Sequence, residues 1–89
     1  MKFTDLEFES HPHYPDGVHA RHFFPNGYGV SIVKFPGSYG FQDGLYEVAI
    51  IKGNKDAYEI CYDTPITDDV LGHQDEQDIE NILEEVQTL

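Results

Sequence analysis

The sequence predicts one α+β domain over residues 1–89, in which an antiparallel sheet of four to five strands carries a C-terminal helix on one face. Two pairs of alternating apolar segments are each joined by a turn sequence, which predicts two hairpins. Apolar residues near the C-terminus recur with the spacing of a helix. Because 89 residues bury only a modest core, the hairpins and the helix are expected to share it.

The N-terminal part of the chain is predicted to form a strand, a loop and the first hairpin. In residues 2–8, KFTDLEF, Thr4, Leu6 and Phe8 have the same parity, as residues on one face of a short strand do. Residues 9–17, ESHPHYPDG, contain two prolines and a glycine and therefore predict a loop. Residues 19–24 and 28–35 both have strand character, and the intervening PNG favours a turn that pairs them.

A long connection and the second hairpin are predicted next. Residues 36–44, PGSYGFQDG, hold three glycines and a proline. Residues 45–53 and 57–64 are strand-like and are joined by NKD, a hairpin signal. The only cysteine, Cys61, lies in this alternating run, where a small buried residue is usual. We therefore expect a core thiol rather than a nucleophile.

The C-terminal helix is the clearest element of the sequence. Asp75 is a suitable N-cap, and the acidic first turn complements the helix dipole. A second, shorter helical segment is predicted to begin at Thr67 and to end at Gly72, with Asp68 and Asp69 in its first turn. The apolar stripe that must be buried in the long helix consists of Ile79, Ile82, Leu83 and Val86.

The negative charge of the chain is concentrated in its C-terminal part. Residues 1–55 carry six acidic and five basic residues, whereas residues 56–89 carry eleven acidic residues and no Lys or Arg. Their net charges of −1 and −11 make up the −12 of the whole chain. Direct binding to nucleic acid is therefore not expected, because it requires clustered Lys and Arg. The absence of a long apolar run or a signal-peptide pattern predicts no membrane association.

Two groups of residues suggest metal or acid–base chemistry. Histidine is a common metal ligand, but alternation on a strand points His19 and His22 to opposite faces, so no metal site is predicted. A small metal-dependent enzyme remains an alternative, because carboxylates and an imidazole occur close together in the sequence. Its residues are Asp63, Asp68, Asp69 and His73, and the four clustered histidines are His11, His13, His19 and His22.

The glycine-rich connection is the remaining candidate site. PGSYGFQDG lacks the Lys and Ser/Thr of a Walker loop and the spacing of a dinucleotide fingerprint, so we predict no cofactor. Its aromatic residues Tyr39 and Phe41 are expected to be exposed and could contact a partner.

Three segments carry a resemblance to a known group of proteins. NGYGVSIV, SYGFQDGLYEVAII and CYDTPITDDVLG precede an acidic helix, and this order resembles a group of small bacteriophage and prophage proteins of uncharacterised function. The resemblance covers roughly residues 26–86, with YDTPITDDV as its most specific part. It implies a phage accessory protein in the cytoplasm of a bacterial host. The His-rich N-terminal part and His73 depart from the pattern of the group.

We therefore expect a non-enzymatic protein that binds a basic surface of a host or phage protein. A finer hypothesis is a DNA-mimic inhibitor of a restriction, CRISPR or repair system, since acids four residues apart line one side of a helix. A minor structural or assembly protein is a further alternative. The free edges of the sheet could also pair two copies into a homodimer. The predicted acidic surface consists of Asp68, Asp69, Glu76, Glu80 and Glu84, with Tyr39 and Phe41 as a second surface.

Overall fold

Six antiparallel strands and a C-terminal helix make up the structure, a computed structural model that describes residues 1–89. This architecture confirms the α+β class that the sequence predicts. The strands are β1 (Glu9–Ser10), β2 (Val18–Phe23), β3 (Tyr28–Lys34), β4 (Tyr46–Asn54), β5 (Ala57–Ile60) and β6 (Leu71–Gln74), and the helix is α1 (Glu76–Gln87).

The sheet is an antiparallel meander in which two strands, β5 and β6, both pair with the same edge of β4. Its order is β1-β2-β3-β4-β5, and β6 also pairs with β4. Residues 51–54 of β4 pair with β5, whereas Tyr46 and Val48 pair with β6. Because β3 occupies the other side of β4, β5 and β6 follow one another along the same edge. Both predicted hairpins, β2–β3 and β4–β5, are present.

The core lies between the sheet and α1. Val30, Ile32, Val48 and Ile50 have the alternation of one sheet face and are almost completely buried, which places α1 over the centre of β3 and β4. All four predicted stripe residues of α1 are buried, as expected from the helical spacing. The cluster of twelve buried residues is Leu6, Ala20, Phe24, Val30, Ile32, Val48, Ile50, Cys61, Ile79, Ile82, Leu83 and Val86.

The opposite face of the sheet, called here the outer face, has its own small apolar layer. Ile51 alternates away from α1, yet it is 0% exposed. The rings of Phe23 and Tyr58 meet above this face, with centroids 5.6 Å apart. Gly29 is required beneath them, because a Cβ there would lie 3.1 Å from Phe23 Cδ1 and 2.4 Å from the His22 carbonyl oxygen. Part of this face is thus covered by side chains of the sheet itself.

The prediction of a strand in residues 2–8 is wrong. Residues Phe3–Asp5 form a 3₁₀ turn, and the first strand is β1, inside the segment predicted as a loop. The Asp5 carboxylate accepts a hydrogen bond from the Lys2 backbone N–H at 2.8 Å, which favours the turn. Phe3 and Phe8 instead pack with Tyr46 in an aromatic cluster at one end of the core. The alternation reflected burial at this end rather than strand pairing.

The prediction of a short helix from Thr67 to Gly72 is also wrong. Thr67 Oγ1 accepts a hydrogen bond from the Asp69 N–H at 3.1 Å, so Thr67 forms a local turn instead of capping a helix. Gly72 lies within β6 instead of ending a helix. A Cβ at Gly72 would come within 2.6 Å of Tyr39 Cβ, and the glycine therefore permits close packing of β6 on the 36–44 connection.

Replacing Leu83 with Ala is expected to destabilise the protein by about 2–5 kcal/mol, because the change removes fully buried methyl groups between α1 and the sheet. Urea denaturation followed by circular dichroism measures the loss. Asn81→Ala, on the exposed side of the same helix, is the control and should change stability by less than about 0.5 kcal/mol. Equal effects of the two substitutions would contradict this packing.

Candidate functional site

The row of Glu76, Glu80 and Glu84 runs along one flank of α1 and reaches the outer side of the helix at Glu84. At about 100° per residue, Gln77, Asn81 and Glu84 fall opposite the buried stripe. Gln77 Nε2 donates a hydrogen bond to Asn81 Oδ1 at 3.2 Å on this outer side. Glu76 and Glu84 are both exposed.

Two acidic residues, Asp75 and Asp78, cap the N-terminus of α1. The Asp78 N–H donates to Asp75 Oδ1 at 2.8 Å, and the Asp75 N–H donates to Asp78 Oδ2 at 3.0 Å. This reciprocal capping box satisfies two backbone groups and places carboxylates where the helix dipole favours them. The predicted N-cap at Asp75 is confirmed.

Glu80 has a structural contact that sequence reasoning missed. Its Oε2 accepts a hydrogen bond from the Phe3 backbone N–H at 2.7 Å, and the residue is half-buried. The contact joins positions 77 residues apart, so no local pattern in the sequence indicates it. The Glu80 carboxylate therefore links the N-terminal turn to α1. It is less available to a partner than the other carboxylates of the acidic surface.

The other two members of the acidic surface lie on the connection before β6. Asp68 and Asp69 are both exposed, and Asp69 Oδ1 accepts from the Val70 N–H at 2.7 Å. The four residues of β6 separate this connection from the start of α1 by roughly 13 Å. The acidic surface consequently has two parts, one on the connection and one on the flank of α1.

Basic side chains do not form hydrogen bonds with these carboxylates. Every hydrogen bond that a carboxylate accepts comes from a backbone N–H or from the Cys61 thiol. Three of the five basic groups lie over tyrosine rings instead: Arg21 on Tyr58 at 5.3 Å, Lys34 on Tyr46 at 4.8 Å and Lys52 on Tyr28 at 5.4 Å.

The negative field of α1 acts on a neighbouring side chain. Burial, followed by the charge of Glu76, raises the pKa of the Tyr46 hydroxyl above its ordinary value. Tyr46 begins β4, so the Glu76 flank of α1 lies near this end of the sheet.

The 36–44 connection forms a shallow depression with His73. Its volume is about 440 Å³, and it is lined by residues 36–43 and His73. Tyr39 is exposed as predicted, whereas Phe41 is only half-exposed. The His73 N–H donates to the Tyr39 carbonyl at 3.1 Å, and His73 has a left-handed backbone with φ of 55°. No local pattern in the sequence indicates that His73 contacts this connection rather than the nearby aspartates.

Three histidines come together where β1 meets β2. Their ring centroids are 5.8 Å apart for His11 and His19 and 6.0 Å apart for His11 and His13. His11 Nδ1 accepts from the His13 N–H at 3.1 Å, and its ring also lies 4.8 Å from that of Phe35. The sequence does not predict this cluster, because residues 9–17 have the composition of a loop, whereas residues 9–10 form a strand that pairs with residues 18–19. His22 is separate, packed edge-on against Phe24.

Cys61 is buried in the core, as predicted, and has a carboxylate partner. Its Sγ donates a hydrogen bond to Asp63 Oδ1 at 2.8 Å. This bond raises the pKa of the Cys61 thiol and lowers the pKa of the Asp63 carboxyl. The thiol is therefore held in its protonated, weakly nucleophilic form.

No group of three or more His, Cys, Asp or Glu side chains has an arrangement that could hold a metal ion. No helix has the length and apolar character needed to span a membrane. No protein-family model, curated protein or solved structure matches the chain.

The histidine cluster predicts a pH dependence of stability. Desolvation, followed by the nearby His19, His13 and Arg21, lowers the pKa of His11. The unfolded chain therefore binds more protons than the native state once the pH falls below about 6.5. The contribution of His11 to stability should be constant above that range and decrease as the pH falls toward its lowered pKa.

His11→Asn tests this cause, because the Asn oxygen can still accept from the His13 N–H but does not titrate. Denaturation midpoints between pH 7.5 and 5 should fall less steeply in this variant than in the natural protein. His73→Asn is the control and should leave the slope unchanged, because this histidine lies outside the cluster. Asn tolerates the left-handed backbone at this position, so the variant should remain folded. A natural slope retained in His11→Asn would contradict the assignment.

The Glu80 contact predicts unequal effects of two similar substitutions. Glu80→Ala should destabilise the protein by about 1–3 kcal/mol, because it leaves the half-buried Phe3 N–H without its charged acceptor. Glu84→Ala, one turn further along, should cost less than about 0.5 kcal/mol. Equal denaturation midpoints for these two variants would show that the Phe3 contact contributes nothing.

Proposed function

We propose that this is a non-enzymatic binding protein, whose acidic surface docks on a basic surface of another protein. The observation that supports this most directly is the segregation of charge. No Lys or Arg follows Lys55, and the exposed acids of the connection and of α1 accept no hydrogen bond from a basic side chain. Such a surface attracts basic partners and accelerates their association.

The exposed members carry the proposed interaction. Glu76 and Glu84 lie about 12 Å apart along α1, and Asp68 and Asp69 form the second contact region. Glu80 contributes charge between the first two, although its carboxylate also holds the N-terminal turn. The depression beside Tyr39 and Phe41 provides a second surface for partner contacts.

The finer form of the proposal is a DNA mimic. Carboxylates at positions 76, 80 and 84 are about 6 Å apart along one flank of α1, a spacing of the same order as that of phosphates along a DNA strand. The resemblance to small phage proteins supports an accessory protein in the bacterial cytoplasm, with a DNA-binding defence or repair protein of the host as its target.

A metal-dependent enzyme has no specific observation in its favour. Asp63 accepts a hydrogen bond from the Cys61 thiol, and His73 packs on the 36–44 connection. A minor structural or assembly role is likewise not supported by a particular contact. We therefore retain the binding function alone.

The proposal is tested by immobilising the protein and passing a bacterial lysate over it at low salt. The test variant carries Asp68→Asn, Asp69→Asn, Glu76→Gln and Glu84→Gln. A basic protein retained by the natural chain should bind the variant at least about tenfold more weakly, with a flatter dependence on salt. For the DNA-mimic form, duplex DNA should elute the same protein.

The control variant removes the same number of charges from exposed residues in the N-terminal part of the chain. Retention by the control should match that of the natural protein. Equal retention by the test and control variants would mean that net charge alone attracts the partner, and would overturn the proposed surface. The control substitutions are Glu7→Gln, Glu9→Gln, Asp16→Asn and Asp43→Asn.

A further inference from the structure

The two edges of the sheet differ in how they are protected. The β1 edge is only two residues long, and Pro12 and Pro15 follow it. At the other edge, all four residues of β5 are exposed, and residues 57–62, AYEICY, contain no Pro, Gly or Lys. Short strands, prolines and lysines are common means of preventing edge pairing. The β5 edge is twice as long as the β1 edge and has neither proline nor lysine, and Glu59 is its only charged residue.

The direction of the hydrogen bonds shows which backbone groups of this edge are free. The Cys61 N–H donates to the Ile50 carbonyl at 2.8 Å, which extends the β4–β5 ladder by one residue. Backbone groups alternate in direction along an antiparallel strand. The N–H and C=O groups of Tyr58, Ile60 and Tyr62 therefore face away from β4.

The side chains of the same three residues form an exposed apolar row. Ile60 pairs with Ile51 and Tyr58 pairs with Gly53, which places their side chains on the outer face. Tyr62 continues the alternation. Their exposed fractions are 39% for Tyr58, 45% for Ile60 and 52% for Tyr62. Free backbone groups and apolar side chains thus occur together at one edge.

We propose that this edge pairs antiparallel with the β5 edge of a second copy, around a two-fold axis at Ile60. The row Tyr58, Ile60, Tyr62 has an aromatic residue at each end and an aliphatic residue in the middle, so it is complementary to its own reverse. Ile60 would lie opposite Ile60 of the second copy, and each Tyr58 opposite Tyr62. Each of these pairs can exchange two backbone hydrogen bonds.

The same register places no like charges directly opposite each other. Glu59 would lie opposite Cys61 of the second copy, so no two like charges face each other within the pairing. Asp63 would lie opposite Ala57 of the second copy, and Glu59 would be a diagonal neighbour of Glu59 and Asp63 of that copy. These carboxylates repel one another across the interface, and salt screens the repulsion.

This pairing has a consequence for the acidic surface. A two-fold axis normal to a continuous sheet keeps both α1 helices on the same side of it, so the dimer presents two acidic surfaces together. The dimer does not depend on the proposed binding function, because it uses a different edge and different residues. Since each chain carries −12, screening by salt should strengthen the dimer.

Sedimentation equilibrium of the natural protein tests the pairing. We expect a monomer–dimer equilibrium that shifts toward dimer as salt increases. Ile60→Lys should raise the dissociation constant more than about tenfold, because two lysines would face each other at the axis. Gln42→Lys makes the same charge change at an exposed position elsewhere and should leave the equilibrium unchanged. Circular dichroism checks that each variant is folded.

A cysteine variant tests the register even if Ile60→Lys does not fold. In a Cys61→Ala background, Ile60→Cys should form an intermolecular disulfide on mild oxidation, since directly opposite residues have Cα atoms about 5.5 Å apart. Gln42→Cys in the same background should not. A natural chain that stays monomeric, an unchanged dimer in folded Ile60→Lys, or equal cross-linking at positions 60 and 42 would each overturn the proposal.

Discussion

The packing of α1 on the centre of β3 and β4 is the interaction on which the rest of the structure depends. Ile79, Leu83 and Val86 are fully buried there, and no other helix is available to cover the sheet. Burial of apolar surface is the main favourable term in folding, so a chain of this length retains little free energy of unfolding if the contact is lost. The same contact fixes the position of every carboxylate on α1.

The acidic residues consequently have different tasks despite their common charge. Asp75 and Asp78 cap α1, Glu80 holds the N-terminal turn, and Asp63 accepts a hydrogen bond from the Cys61 thiol. The exposed acids without such a contact, among them Glu84, are a smaller set than the count of acids implies. A binding role is therefore best sought in the exposed set, because substitutions in the other set change stability as well as charge.

Periodicity predicted the elements whose burial is regular along the chain. The α1 stripe and both hairpins alternate with the period of their structure, and Asp75 marks the start of the helix. The errors arose where tertiary contacts determined the conformation. In residues 2–8, Leu6 is buried and Phe8 is half-buried after a 3₁₀ turn, and β6 forms by pairing with the edge of β4. No local pattern could indicate contacts such as Glu80 with Phe3, or His11 with His19.

Native-state hydrogen exchange tests most directly whether α1 and the sheet form one cooperative unit. We expect the most protected amides of α1, near Leu83, to exchange as slowly as those of Val30 and Val48 at the centre of the sheet. All of them would then open only by global unfolding. Amides of α1 that exchange much faster than those of β3 and β4 would contradict this expectation, and would show that the sheet is stable without its helix.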